Sequence, residues 1–203
     1  MTVCLVTDRR RADPVAQAGA AAAAGVDFIQ VRERDLEAAA LAALVRAVLG
    51  AVSGTPARVV VNDRLDVALA CGAHGVHLRA ESFTVGDARR LAPPGFLVGR
   101  SVHTTAEAAA AGDADYLVAG TVFPTASKPL QVEHLGASGL RRIVEATRAP
   151  VLAIGGVTAD NVGEIARAGA AGVAATGLFA APETIDSVVR SLRLRFDTVK
   201  TGP

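Results

Sequence analysis

Eight short apolar runs, separated by alanine-rich amphipathic stretches, constrain this chain more than any other feature. They are Val3–Thr7, Phe28–Arg32, Val59–Asn62, Gly75–Leu78, Leu97–Ser101, Tyr116–Gly120, Val151–Gly155 and Gly172–Thr176. Short apolar runs bounded by turn residues suit strands buried on both faces, as in a parallel sheet. The stretches between and after them, 13–24, 36–50, 63–71, 85–92, 104–111, 137–147, 159–168 and 182–195, are rich in Ala, Leu and Arg and are predicted to be helices. Four of these end in the same way, at Ala24-Gly25, Cys71-Gly72, Ala111-Gly112 and Ala168-Gly169. Each glycine is placed to take the left-handed conformation that closes a helix. Eight β-α repeats in 203 residues, with no break in composition, predict an α/β fold, a single-domain (β/α)8 TIM barrel over residues 1–203. An open doubly wound sheet is the competing architecture, and the missing GxGxxG after the first run argues against it.

Composition removes several classes of function. Hydrophobic residues make up 51% of the chain, too many for a disordered protein. No apolar run approaches the ~18 residues of a membrane span. The opening MTVCLVTDRRRADP meets charge too early for a signal peptide, so a cytoplasmic protein with no membrane partner is expected. A net charge of +1 and 3% aromatic residues leave neither the basic footprint nor the stacking platforms of a nucleic-acid binder. Cys4 and Cys71 lie in apolar surroundings with no metal-ligand spacing and read as buried thiols. A homo-oligomer is compatible with all of this.

In such a barrel the chemistry lies at the C-terminal ends of the strands. The residues delivered there are Thr7-Asp8, then Gln30, Arg32 and Arg34, then Asn62-Asp63. His77, Arg79 and Glu81-Ser82 follow the fourth strand, and Arg100, Ser101 and His103 belong to the fifth. Gly120-Thr121 opens a long sixth loop containing FPTASKP, in which Thr125, Ser127 and Lys128 sit between Pro124 and Pro129. The seventh and eighth strands end in Gly155-Gly156 and Thr176-Gly177. Gln30, Arg32 and Arg34 alternate, so the two-residue period of a strand places them on one face. Two guanidiniums there are costly to bury unless they meet an anion. VLAIGGVTADN (151–161) runs from strand through a Gly-Gly turn into a predicted helix start, an arrangement of bare backbone N–H groups suited to phosphate. Lys128 and Lys200 are the only lysines among 21 basic residues, which marks Lys128 for a chemical role. His77 reads as a satisfied core residue, and His103 as either a titrating pocket residue or a helix cap. A phosphorylated small molecule is the expected partner.

QVRER (30–34), VNDRLDVALACGAHGVHL (61–78), GRSVHT (99–104), DYLVAGTVFPTASKP (115–129) and AIGGVTADNV (153–162) resemble, in order, the thiamin phosphate synthase and TenI-like superfamily. The resemblance implies a (β/α)8 barrel acting on thiazole phosphates in vitamin B1 synthesis. It offers two reactions. A TenI-like thiazole tautomerase aromatises a thiazole carboxylate phosphate by moving a proton and needs no metal. The synthase joins a pyrimidinylmethyl diphosphate to the thiazole phosphate and releases pyrophosphate with the help of Mg²⁺.

Matched position by position, the synthase pattern puts the diphosphate on Gln30, Arg32 and Arg34, with Arg34 where the family has Lys. It puts the pyrimidine on Asn62 and Ser101, and its Thr-x-Thr-Lys run on Thr125, Ser127 and Lys128. The thiazole phosphate falls on Gly156, Thr176 and Gly177. The first Mg²⁺ carboxylate falls on Asp63, and the second falls on Ser82, which is not a ligand of that kind. That departure favours the tautomerase as the first reading, with Lys128, Arg32 or Arg34 pairing the substrate carboxylate. The proton-carrying His of that branch falls on Thr121, leaving His103 as the candidate base. The synthase is the alternative, and a non-catalytic phosphate-ligand binder is a third reading.

Overall fold

The computed structural model describes residues 1–125 and 134–201. Eight parallel strands close into a barrel in chain order: β1 (Thr2–Val6), β2 (Phe28–Val31), β3 (Arg58–Asn62), β4 (Gly75–Leu78), β5 (Leu97–Val102), β6 (Tyr116–Gly120), β7 (Val151–Ile154) and β8 (Gly172–Ala175). The helices alternate with them as α1 (Pro14–Ala23), α2 (Ala38–Ala51), α3 (Leu65–Cys71), α4 (Val85–Leu91), α5 (Thr105–Ala109), α6 (Gly136–Glu145), α7 (Val162–Arg167) and α8 (Ile185–Thr201). Two 3₁₀ turns, Gly177–Phe179 and Pro182–Thr184, lie between β8 and α8. The predicted TIM barrel is therefore the observed one. All four helix-ending glycines, Gly25, Gly72, Gly112 and Gly169, have the positive φ expected of them.

The differences are local. β1 begins and ends one residue earlier than predicted. The last helix runs on to Thr201 and is preceded by the second 3₁₀ turn rather than starting at 182. The seventh helix was expected from 159 and starts at Val162, because Thr158 and Asn161 bond to each other first. Asn161 Oδ1 accepts from Thr158 N (2.8 Å), and Thr158 Oγ1 accepts from Asn161 N (3.2 Å).

Strand alternation divides the core in two. Val3 and Leu5 of β1, Ile29 and Val31 of β2 and Val59 and Val61 of β3 point outward against the helices. Cys4, Val6, Tyr116, Val118, Leu152 and Ala174 form a second cluster with Phe28, Ile154 and Ala171. These are the alternate residues of their strands, so they fill the barrel. Burial pushes the Cys4 thiol up to about 12, which makes it an inert packing group.

Closure depends on small residues where strands approach one another. A Cβ on Gly172 would lie 1.9 Å from the Thr2 carbonyl oxygen of β1, at the β8–β1 seam. Gly99 makes room for Tyr116, whose ring would be 2.2 Å from an added Cβ. Gly172→Ala is expected to cost about 3 kcal/mol of unfolding free energy in urea titrations, since backbone cannot move aside as a side chain can. Gly50→Ala in α2, with nothing within 4 Å of the added carbon, is expected to be neutral or to gain about 0.5 kcal/mol.

Candidate active site

At the C-terminal end of the barrel lies a cavity of about 430 Å³. One wall is polar. Gln30 and Asn62 point inward from β2 and β3, and Gln30 Nε2 donates to Asn62 Oδ1 (3.0 Å). His77 and Ser101 continue this wall from β4 and β5, with His77 Nε2 2.9 Å from Ser101 Oγ and His77 Nδ1 3.2 Å from the Tyr116 hydroxyl. The imidazole thus has a partner at each nitrogen and stacks on the Tyr116 ring, the satisfied core residue that its apolar neighbours suggest. Burial pushes it down from 6.5 to about 3, a shift to which the Arg32 cation adds and which Asp63 opposes. A neutral ring uses one nitrogen to donate and the other to accept.

Arg32 and Arg34 also line the cavity, although β2 ends at Val31 and both therefore lie beyond the strand. Among the described residues neither guanidinium donates a hydrogen bond or forms an ion pair. Burial, and then Arg34 itself, lower the Arg32 pKa from its usual value. Between them Glu33 does not line this cavity and is buried, accepting from Thr7 Oγ1 (2.7 Å) and from Arg9 N (3.1 Å). Thr7 Oγ1 in turn accepts from Arg32 N (3.0 Å), which ties the end of β2 to the loop after β1. Sequence reasoning missed Glu33 and Tyr116. The signal for Glu33 was an acid alternating out of phase with three cavity residues.

The opposite wall is apolar and glycine-rich, with Val118, Ile154, Val157 and Ala174 beside Gly155, Gly156, Thr176 and Gly177. The two glycines have φ of 97° and 63°. A Cβ on Gly155 would meet Thr121 Cγ2 at 2.4 Å, and one on Gly156 would meet the Pro124 carbonyl oxygen at 2.4 Å. Their bareness serves the close approach of the β6 loop, as well as any ligand. Asn161 Nδ2 donates to Gly156 O (2.8 Å) and holds the turn. α7 starts at Val162, later than the sequence suggested, and its cap residue Asn161 is the one bonded to Gly156. The 3₁₀ turn beginning at Gly177 also lies at the cavity, and a helix start leaves its first N–H groups without intrahelical partners.

Thr121 and Thr125 line the cavity from the β6 loop. Ser127 and Lys128 lie outside the described residues. His103 stands at the rim, half exposed, with Nδ1 3.4 Å from Glu107 Oε2. It precedes the helix cap, which is Thr104.

Asp63 is separate from the main cavity. It lines an adjoining hollow of about 180 Å³ together with Arg79, and the two spaces share Arg34 and Asn62. Its backbone is left-handed, with φ of 61°, a conformation that Asp tolerates better than most residues. Arg79 Nε donates to Asp63 Oδ2 (2.6 Å), and Ser82 Oγ donates to Asp63 Oδ1. Burial pushes the Asp63 carboxyl up, and the bonds from Ser82 and Arg79 outweigh it, so its pKa lies below the usual value. Glu81 reaches Arg79 Nη1 (3.0 Å) from an exposed position. A Mg²⁺ ion at a diphosphate site is held octahedrally by one or two free carboxylates together with phosphate oxygens and water. Both Asp63 oxygens are already bonded, and among the described residues no three His, Cys, Asp or Glu come together as a metal site. The residues around Asp63 do not fit a bound Mg²⁺ in this arrangement.

The family model for thiamine monophosphate synthase (TMP-TENI) matches residues 3–178. The chain belongs to that family. A thiamine-phosphate synthase of Methanoculleus marisnigri is 43% identical over 182 residues, covering 89% of this chain and 86% of the relative. One from Anaeromyxobacter dehalogenans is 47% identical over 162 residues, covering 79% and 72%. The solved thiamine phosphate pyrophosphorylase of Pyrococcus furiosus superposes with a TM-score of 0.86 at 33% identity, covering 98% of this chain and 96% of that one. No helix among the described residues is long and apolar enough to cross a membrane. This member of the thiamine monophosphate synthase family thus presents a two-sided cavity, amides and guanidiniums facing glycines and apolar side chains.

The buried His77 has a consequence for stability. The unfolded chain takes up a proton near pH 6.5 that the folded chain resists down to about pH 3. Stability held above pH 6.5 is therefore expected to fall as the pH drops through that window, by up to about 1.4 kcal/mol per pH unit from this group. Urea midpoints at several pH values check this, and His77→Gln is expected to flatten the dependence.

Proposed function

We propose that this chain is a thiamin phosphate synthase, coupling a pyrimidinylmethyl diphosphate to a thiazole phosphate. The observation that carries the reading is the division of the cavity into two chemically different walls. The Gln30–Asn62 amide pair and Ser101 offer donors and acceptors to a pyrimidine edge, and the guanidiniums of Arg32 and Arg34, unpartnered among the described residues, offer charge to a diphosphate. Gly156, Thr176 and Gly177 would receive the phosphate of the thiazole, whose ring would lie against Val118, Ile154 and Ala174. A volume of about 430 Å³ lies within the range of small-molecule sites. The naming of relatives 43% and 47% identical supports the same reading.

The reaction needs positioning and charge stabilisation more than proton transfer. The thiazole nitrogen attacks the methylene carbon with its lone pair as the carbon–oxygen bond breaks, and pyrophosphate leaves with that electron pair. No proton is lost, since the nitrogen carries none. The chain's part is to hold the two rings in line and to set cations where the leaving oxygens gain charge. Arg32 and Arg34 take that role, and Lys128, matched by the family pattern, would add a third charge from the β6 loop.

A metal-free thiazole tautomerase is the second reading, favoured by the engagement of Asp63 with Arg79 and Ser82. It needs a proton carrier. His77 is held neutral and His103 lies beside Glu107 at the rim, while Thr121 carries no ordinary base. A paired assay separates the two. The synthase reading expects pyrophosphate release only when both substrates are present. Metal-free aromatisation of the thiazole carboxylate phosphate, without pyrophosphate release, would replace it by the tautomerase. Arg32→Ala is expected to lower kcat/KM of the coupling by about a hundredfold or more, and Lys128→Ala by about tenfold or more.

A further inference from the structure

The hollow beside the cavity holds a feature that the coupling chemistry leaves unassigned. Asp63 sits in a left-handed conformation at the end of β3 and gathers donors from one loop, Arg79 Nε at 2.6 Å and the Ser82 hydroxyl. The loop is braced from behind. Arg100 Nη2 donates to Ala80 O (2.6 Å) and Arg100 Nη1 to Phe83 O (2.9 Å), so the segment carrying Arg79 and Ser82 is held from β5. Arg79 uses Nε on Asp63 and Nη1 on Glu81, and among the described residues Nη2 donates to nothing. The guanidinium shares its hollow with Arg34, which also faces the main cavity.

We propose that Arg79 stands where a divalent cation would stand at Asp63, so that this chain meets the terminal phosphate of a diphosphate with guanidinium rather than with a protein-held metal ion. This rests on the synthase reading for the identity of the diphosphate. The physical reasoning is one of competition for the same lone pairs. A carboxylate that already accepts from a charged donor and a hydroxyl offers a small, strongly hydrated cation little to replace its water. Serine at 82 completes the exchange, since it donates to Asp63 where a second carboxylate would repel it. With Nε on Asp63 and Nη1 on Glu81, Nη2 is the part of the guanidinium left to donate to phosphate oxygens, and Asp63 sets its direction. Arg79 is thus a binding residue, and Asp63 and Ser82 are positioning residues.

Two direct binding measurements test this without turnover. In the first, free Mn²⁺ is followed by electron paramagnetic resonance at submillimolar concentration. The wild-type chain and Asp63→Asn are expected to leave the signal of free Mn²⁺ equally unaffected. The double variant Arg79→Gly/Ser82→Asp is expected to remove about one equivalent per chain, as a two-carboxylate site would. In the second, pyrophosphate is titrated calorimetrically in the presence of chelator. Arg79→Ala is expected to weaken binding by about tenfold or more, with Arg79→Lys between it and the wild type. One equivalent of Mn²⁺ on the wild-type chain that Asp63→Asn abolishes would overturn the proposal, as would pyrophosphate binding indifferent to Arg79→Ala. Should the double variant fail to fold, wild type against Asp63→Asn decides the metal question alone. The paired turnover assay is a separate reading. No pyrophosphate release with both substrates would defeat the assigned function, while the Mn²⁺ and pyrophosphate titrations would still decide the role of Arg79.

Discussion

Barrel closure is the constraint on which the rest of this structure depends. β1 pairs with β8 in parallel register, Thr2 opposite Gly172, and there is no space at that seam for a side-chain carbon. Once the sheet is closed, the two-residue period of each strand becomes a division between a helix-facing exterior and an enclosed interior. Interior positions carry apolar groups low in the barrel, where Cys4, Phe28, Tyr116 and Leu152 pack. Near the top on one side they carry Gln30, Asn62, His77 and Ser101 instead. A polar wall of that kind is affordable only where a ligand or internal partners satisfy it.

The internal partners are specific. His77 bridges Tyr116 and Ser101 as a neutral ring, and Gln30 bonds to Asn62. Glu33, which is not among the cavity-lining residues, binds Thr7 and the Arg9 amide. Those contacts hold the wall still, while among the described residues the guanidiniums of Arg32 and Arg34 have no hydrogen-bond partner. Across the cavity the glycine turn after β7 packs directly against the β6 loop, so that turn and the loop bearing Thr121 and Thr125 form one unit. Rigid placement of charge and backbone donors is what a coupling with a diphosphate leaving group requires.

Most of the frame was legible in the order of residues. Strand positions differ by a residue or so, because apolar runs between turn residues have only one strong way to sit in a parallel sheet. Helix starts were less legible at α7, where the Thr158–Asn161 pair competes with the first helical turn. Alternation placed Gln30, Arg32 and Arg34 together, and they do share a cavity. The partners of Asp63 were not legible. Arg79 and Ser82 lie in the next β-α unit, and nothing local says that their side chains turn back to β3.

The sequence by itself determined the architecture, the membership of the family and the end of the barrel where the polar residues gather around a cavity. Those properties follow from periodicity and from local backbone requirements, which are carried by neighbours in the chain. Only the tertiary structure decided that Asp63 bonds to Arg79, that His77 is buried and held neutral, and that Gly155 and Gly156 are bare because the β6 loop lies against them. These depend on burial and on contacts between separate β-α units, which exist only when the barrel has closed.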